Sequence, residues 1–185
     1  MERSTDALPP PSIKPDLAAR VARLRVPLGF IASVAALWLA HPTWSSIVLG
    51  AGLAAVGEAV RVWAAGHLEK GREVTMSGPY RFTAHPLYLG STLIGIGFAI
   101  TSNSLIVGVI AVLYLGLTLG AAIRSEEAGL RAKFGLEYAD YRAGRVSDGS
   151  RRFSLARAIR NREHRAVAGL AGVVILLALK AWLLL

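Results

Sequence analysis

Cysteine is absent from this chain of 185 residues, and acidic residues are outnumbered by Lys and Arg, 12 to 21. The absence of cysteine excludes disulfides and thiolate metal sites. The four histidines are too scattered in sequence for a local zinc motif, so we predict that no metal is bound: His41, His67, His85 and His164. The chain also lacks the apolar alternation of a soluble core, because its apolar residues come in long blocks.

The net charge of +9 could suit a nucleic-acid partner, but the pattern argues against one. Arg and Lys fall beside apolar blocks and are not interleaved with aromatic residues, as they are on nucleic-acid-binding surfaces. Hydrophobic residues make up 54% of the chain and charged residues 18%. Flanking basic residues set the topology of membrane helices and contact anionic lipids. We therefore predict an integral membrane protein with anionic-lipid contacts and no nucleic-acid partner.

The chain divides into a tail and one membrane domain. Residues 1–19 are polar and Pro-rich, which predicts a mobile tail before a single domain over 20–185. We predict an all-α fold, a multi-pass transmembrane bundle of about five helices, because a spanning helix needs about 20 apolar residues. These helices cover 26–40, about 43–67, 86 to about 101, about 105–124, and 166–185.

Local signals mark the helix ends. His41-Pro42 breaks the first helix, and Thr43 or Ser45 can cap the second. Pro86 suits the first turn of the third helix, because proline has no amide hydrogen to leave unpaired. The first two helices and the next two are therefore predicted to form tight hairpins.

The distribution of basic residues predicts the orientation. The segments 20–25, 69–81 and 124–145 are rich in Arg and Lys, whereas the connections 41–45 and 101–104 have none. By the positive-inside rule, the amino terminus and the three basic segments are cytoplasmic. The Ala- and Arg-rich composition suggests a prokaryotic inner membrane. The segment 151–160 has a basic face beside apolar residues, which predicts an interfacial helix.

Two polar clusters stand at the ends of apolar helices. Tyr80, Arg81, His85 and Tyr88 crowd donors and acceptors into a turn beside lipid, where a polar ligand is the economical explanation. The pair Glu126-Glu127 follows the fourth helix. Two adjacent carboxylates near an apolar boundary favour a cation beside them. Arg124, Arg131 or a cationic ligand could supply it.

The sequence leaves open the roles of two glycines and of a pair of intramembrane charges. Gly95 and Gly97 on the third helix favour either close helix packing or clearance for a ligand. Glu58 and Arg61 lie three apart on the second helix and can share a face. They form either a structural ion pair or a contact for an anionic substrate group, because intramembrane charges usually face a protein interior or polar cavity.

The strings GPYRFTAHPLYLG (78–90) and SEEAGLRAKFGLEYADYRAGRV (125–146) resemble the isoprenylcysteine carboxyl methyltransferase and phospholipid methyltransferase superfamily. The resemblance covers about 60–146. It implies an integral-membrane enzyme that uses S-adenosylmethionine to methylate a lipid-embedded acceptor. It also implies a cofactor site with one wall containing His85, Tyr88 and Gly90 and another containing Glu126 and Glu127.

The groups of S-adenosylmethionine suit these residues. Its ammonium, sulfonium and ribose hydroxyls need acceptors such as carboxylates, and its carboxylate needs cationic or neutral donors. The predicted cofactor contacts are Tyr80, Arg81, His85, Pro86, Tyr88, Gly90, Gly97, Glu126 and Glu127. The predicted catalytic residues are His85, Tyr88 and Arg61.

The departures from the family pattern concern the acceptor more than the cofactor. The family often has Arg before the motif His, where this chain has Ala84, and its usual ending is replaced by an extra basic segment and helix over 151–185. The acceptor stays open between a phospholipid amine, an isoprenoid carboxylate or thiolate, and a smaller hydrophobic molecule. The alternatives to methyl transfer are an NADPH-dependent membrane reductase of the sterol-reductase type and a non-catalytic membrane scaffold.

Overall fold

A computed structural model describes residue 29 and residues 31–146 and 150–184. The predicted tail over 1–19 and the basic residues 20–25 lie outside these ranges. The described part is helical and contains no strand. Its helices are α1 (31–39), α2 (Trp44–Ala65), α3 (Pro86–Ser102), α4 (Leu105–Phe134), α5 (Leu136–Arg142), α6 (Leu155–Arg160) and α7 (Glu163–Leu183), with a 3₁₀ turn at Gly78–Arg81. The predicted all-α membrane bundle is confirmed.

The apolar helices occupy the predicted places, but they differ in length. Within the described ranges, α2, α4 and α7 are long and apolar enough to cross a membrane. The apolar helix α3 is shorter, at 17 residues. The start of α1 lies partly outside the described residues.

The caps of the hairpins follow from local sequence. Of the two predicted caps, Thr43 and Ser45, it is Thr43 that caps α2, in a reciprocal box with Ser46. Asn103 takes the left-handed conformation, with φ of 47°, and ends α3. The two turns meet, since the His41 amide donates to the Ser102 carbonyl at 2.8 Å. They therefore lie at the same end of the bundle.

Small residues bring α2 and α3 into close contact. A Cβ on Gly97 would lie 2.5 Å from the Gly50 carbonyl oxygen, and one on Gly90 would lie 2.6 Å from that of Gly57. Both glycines are buried. Close approach of backbones through small residues is the usual packing of membrane helices. Close packing of α2 against α3 therefore explains why residue 97 is a glycine, and it explains Gly90 in the same way.

Helix α4 continues ten residues past its expected end near Arg124, which corrects the predicted boundary. Its 30 residues span about 45 Å, against about 30 Å for the hydrocarbon core of a bilayer. Glu126 and Glu127 therefore lie within the helix, on the part that extends past an apolar stretch of spanning length. The last turns of α4 pack with α5 around Val74, Met76 and Tyr138.

Helix α6 closes the carboxyl end of α2. The Arg157 guanidinium donates to the Gly66 carbonyl at 2.6 Å and to Glu69 at 2.8 Å, and the Asn161 amide donates to the Ala65 carbonyl at 2.9 Å. The last carbonyls of a helix lack intrahelical partners, and basic side chains satisfy them well. The basic segment predicted to be interfacial thus also serves as a cap inside the protein.

Helix α7 runs beside α2 and reaches both ends of the bundle. Lys180, near its carboxyl end, donates to the carbonyls of Leu37 and Trp38 at 2.8 Å and so caps α1. Glu163, in its first turn, bonds Arg61 of α2. Polar contacts at its two ends therefore tie α7 to the other helices.

Candidate active site at one end of the bundle

The two sequence clusters meet through His85 and Glu127. The Nε2 atom of His85 lies 3.1 Å from Oε1 of Glu127, and both side chains are largely shielded from solvent. His85 is the residue that precedes α3, where Pro86 begins the helix, and Glu127 projects from the extended end of α4. The structure therefore joins the two predicted walls in one polar cluster.

Cations surround the Glu127 carboxylate. Arg142 of α5 lies 3.2 Å from Oε1, and Arg131 of α4 lies 3.4 Å from Oε2. Arg131 was one of the predicted partners of the glutamate pair, and Arg142 was missed. The signal for Arg142 was its place in the string that carries the family resemblance. Its contact depends on the turn at Gly135, where φ is 50°, because that turn folds α5 back along α4.

Glu126 differs from its neighbour. It is exposed, and no residue in the described ranges donates a hydrogen bond to it or pairs with it. Its charge nevertheless acts on the buried Tyr80. Burial raises the pKa of Tyr80, and the Glu126 carboxylate raises it further. Glu126 therefore presents an available carboxylate near the 3₁₀ turn, whereas Glu127 is already paired.

The 3₁₀ turn that carries Tyr80 and Arg81 is held by α5. The Tyr141 hydroxyl donates to the Tyr80 carbonyl oxygen at 2.7 Å. Burial raises the pKa of Tyr141 to about 12, and Tyr138 beside it acts in the same direction. Tyr141 thus stays a neutral donor at physiological pH. Arg81, in the last position of the turn, is exposed.

The remaining predicted contacts lie in or next to α3. The Tyr88 ring is 5.7 Å from the His85 ring, so these two side chains are neighbours. Pro86 is fully buried as the first residue of α3. Gly90 and Gly97 face α2, as described above. The structure therefore brings His85, Tyr88 and Glu127 together and places Gly97 more than two turns away along the helix.

Arg61 makes its strongest contact with a residue that sequence reasoning missed. Its guanidinium donates to Glu163 through Nε at 3.2 Å and Nη2 at 2.9 and 3.0 Å, and Nη1 lies 2.5 Å from the Ser91 hydroxyl. Glu58, the expected partner, lies 3.8 Å away. The only sequence signal for Glu163 was its place just before the last apolar stretch. The structure thus links α2, α3 and α7 at this point.

His67 lies in the loop after α2 and contacts the segment that leads into the 3₁₀ turn. It is buried, and its Nδ1 atom lies 3.0 Å from the Ser77 hydroxyl. Burial lowers its pKa, and the nearby guanidiniums of Arg157 and Arg151 lower it further. His67 is therefore held neutral, with a structural position beneath the 3₁₀ turn.

A comparison with known protein families finds a match to the part of the chain that contains this cluster. A family model described as phospholipid methyltransferase matches residues 45–137, about half of the sequence. No curated protein and no solved structure matches the chain. The matched range begins in α2 and ends in α5, and it includes both His85 and Glu127. It ends before Arg142 and before α7. The range of the match and the helical membrane bundle agree: this chain belongs to the phospholipid methyltransferase family.

Proposed function

We propose that the protein transfers a methyl group from S-adenosylmethionine to an acceptor embedded in the membrane. Membership of the family implies a membrane methyltransferase that acts on lipids. The observation that carries the finer proposal is the contact between His85 and Glu127. It gathers donors and acceptors from distant parts of the chain at one end of an apolar bundle, where a polar cofactor can meet a lipid substrate.

The side chains present suit the chemical groups of this cofactor. The exposed, unpaired carboxylate of Glu126 would accept hydrogen bonds from the ammonium or from ribose hydroxyls. His85, Tyr88 and the exposed Arg81 supply neutral and cationic donors for the cofactor carboxylate. Glu127 already has three partners, so we assign it two roles. It holds His85 and the Arg142 guanidinium in place, and it forms part of the cofactor wall.

S-adenosylmethionine supplies an electrophilic methyl group on a sulfonium. Methyl transfer is an in-line displacement, and its rate depends chiefly on how well the two reactants are positioned. The role of this chain is therefore to orient the reactants and to exclude water. The apolar helices that converge on the cluster suit the second task.

The same proposal includes the topology. The polar cluster and the basic loops around it lie at the end of the bundle opposite the two tight turns at 41–43 and 103–104. By the positive-inside rule, such a basic end faces the cytoplasm, where it would contact anionic lipids. We propose a prokaryotic inner membrane on the basis of composition alone.

Calorimetry on the purified full chain in detergent tests this function. We expect S-adenosylmethionine and S-adenosylhomocysteine to bind and NADPH not to bind. Substitution Glu126→Gln should weaken binding, whereas Glu137→Gln, an exposed carboxylate on α5, serves as the matched control. Binding of NADPH alone would identify a reductase, and no binding of any of the three would identify a scaffold.

A further inference from the structure

A partly open cavity of about 430 Å³ lies between the helices, and none of the residues of the His85 cluster lines it. Helices α1, α2, α3, α4 and α7 all contribute to its walls, which are mostly apolar. Glu58, Arg61 and Ser91 form a polar patch in this lining. The volume falls in the range of pockets that take small hydrophobic ligands with a few placed polar groups.

Glu58 is a buried carboxylate without a hydrogen bond. Only 7% of the residue is exposed, and neither oxygen accepts a hydrogen bond from any residue in the described part of the chain. Its nearest cation is Arg61, 3.8 Å away, whose guanidinium is directed to Glu163 and Ser91 instead. A buried carboxylate whose oxygens accept no hydrogen bond is costly, so a donor supplied by a ligand in the cavity would offset that cost.

The charges around the patch define the kind of donor. Glu58 and Glu163 contribute two carboxylates, and Arg61 contributes one guanidinium. An acid would add a third negative group beside Glu58, whereas a hydroxyl or an ammonium would donate to it. The patch therefore selects a hydrogen-bond donor and disfavours a carboxylate or phosphate.

We propose that this cavity binds the apolar body of the methyl acceptor, and that the acceptor's polar end, a hydroxyl or an ammonium, donates a hydrogen bond to Glu58. The identification of the occupant as the acceptor rests on the proposed function. The binding site itself rests on the cavity and on the Glu58 carboxylate, whose oxygens accept no hydrogen bond in the described part of the chain. Arg61 is a positioning residue in this arrangement, because its guanidinium bonds Glu163 and Ser91 and so holds α7 beside the patch.

Helix α7 forms one wall of the cavity. Ala166, Gly169, Leu170 and Val173 line it, and all lie beyond the range that the family model matches. Gly169 has open space where a side chain would start. Gly172, on the same helix, has open space too, but it does not line the cavity. The two glycines therefore provide a cavity-filling variant and a matched control.

Three probes with the same tail test the proposal: radiolabelled dodecylamine, dodecanol and dodecanoic acid. Protein-dependent retention of each is measured on the full chain at fixed detergent concentration. We expect the wild type to retain the amine, the alcohol or both at least about tenfold better than the acid, the scale of a hydrogen bond to a charged group. Gly169→Leu should remove this retention, and Gly172→Leu should leave it intact.

Glu58→Gln distinguishes the two donors. If an ammonium is the natural polar end, this variant should lose about tenfold in dodecylamine retention, because the opposite charge is removed. If a hydroxyl is the natural polar end, the amide oxygen of the introduced Gln can still accept its hydrogen bond. The variant should then retain dodecanol nearly as well as the wild type does. Where Glu58→Gln does not fold, the glycine pair still decides the question.

Equal retention of all three probes by the wild type would overturn the proposal, since it would show a cavity that takes lipid tails only. Equal behaviour of the two glycine variants would overturn it as well. Binding of S-adenosylhomocysteine is measured separately on every variant, and we expect it to be unchanged. If the wild type does not bind S-adenosylhomocysteine, the proposed function is contradicted, whereas the retention results still decide whether the cavity binds a hydrogen-bond donor.

Discussion

Arg61 and Glu163 are 102 residues apart in sequence and form the bidentate contact that attaches α7 to the core of the bundle. Nη2 of Arg61 lies 2.9 Å from Oε1 and 3.0 Å from Oε2 of Glu163. The same guanidinium reaches Ser91 on α3. One side chain thus connects three helices beside the cavity that we assign to the acceptor.

Removal of either partner should destabilise the protein. We expect Arg61→Gln to cost about 3–5 kcal/mol, the range for breaking a buried ion pair, because it leaves the Glu163 carboxylate without a cation. Glu163→Gln should cost less, because Arg61 keeps the Glu58 carboxylate at 3.8 Å. Thermal unfolding in detergent measures this, and the double variant should lose less than the sum of the singles. Glu137→Gln is the exposed control. Unchanged stability with lower acceptor turnover would instead assign Arg61 to substrate contact.

The two adjacent glutamates should behave differently. Glu126→Gln is expected to weaken S-adenosylhomocysteine binding by about 1.5–3 kcal/mol, without a change in thermal stability, because the residue is exposed and unpaired. Glu127→Gln is expected to lower both, since it also loses its contacts with His85 and Arg142. Calorimetry and thermal unfolding are needed together. A double Gln variant that binds normally would refute the assignment of both residues.

His85→Ala should impair cofactor binding while the helix entry survives. Pro86 still begins α3, and the His85 backbone rather than its side chain accepts the first helical hydrogen bonds. We expect weaker S-adenosylhomocysteine binding in calorimetry and a folded protein by circular dichroism. Loss of folded protein, with normal specific activity in the remainder, would show a purely structural histidine.

Gly97→Ala should separate helix packing from ligand clearance. Its Cβ would lie 2.5 Å from the Gly50 carbonyl oxygen and 2.7 Å from the Ala54 nitrogen, so α2 and α3 would have to move apart. We expect a loss of about 1–3 kcal/mol, as for overpacked interiors. Gly116→Ala on α4 has open space and should cost nothing. A stable Gly97→Ala protein with weak cofactor binding would support ligand clearance instead.

Stability should fall in mild acid because of His67. Its folded-state pKa is lower than the ordinary value of 6.5, so the unfolded chain binds more protons below that value. The contribution of His67 to the free energy of unfolding is therefore complete above about pH 6.5. It decreases as the pH falls from there towards the folded-state pKa. Thermal unfolding against pH measures the slope. His67→Asn should flatten it over this window, and an unchanged slope would assign it to other groups.

Local features of the sequence determined the helices and their ends. Blocks of apolar residues predicted the bundle, and Thr43, Pro86 and Asn103 lie at boundaries set by capping and turn chemistry within a few residues. The end of α4 was placed ten residues early, because the apolar pattern stops near Arg124 while the helix does not. Hydropathy reports the lipid boundary, and backbone hydrogen bonding continues past it.

The sequence also identified His85 and the glutamate pair, but it could not assign their partners. Arg61 had an obvious neighbour in Glu58, three residues away, and instead bonds Glu163 on the last helix. Glu127 is reached by Arg142 only because α5 folds back at Gly135. A charge can pair with any opposite charge that the fold brings within a few ångströms, so only the packing of the helices decided these contacts. Among the described residues, the same packing left Glu58 without a hydrogen bond beside a cavity, which no local pattern in the chain reveals.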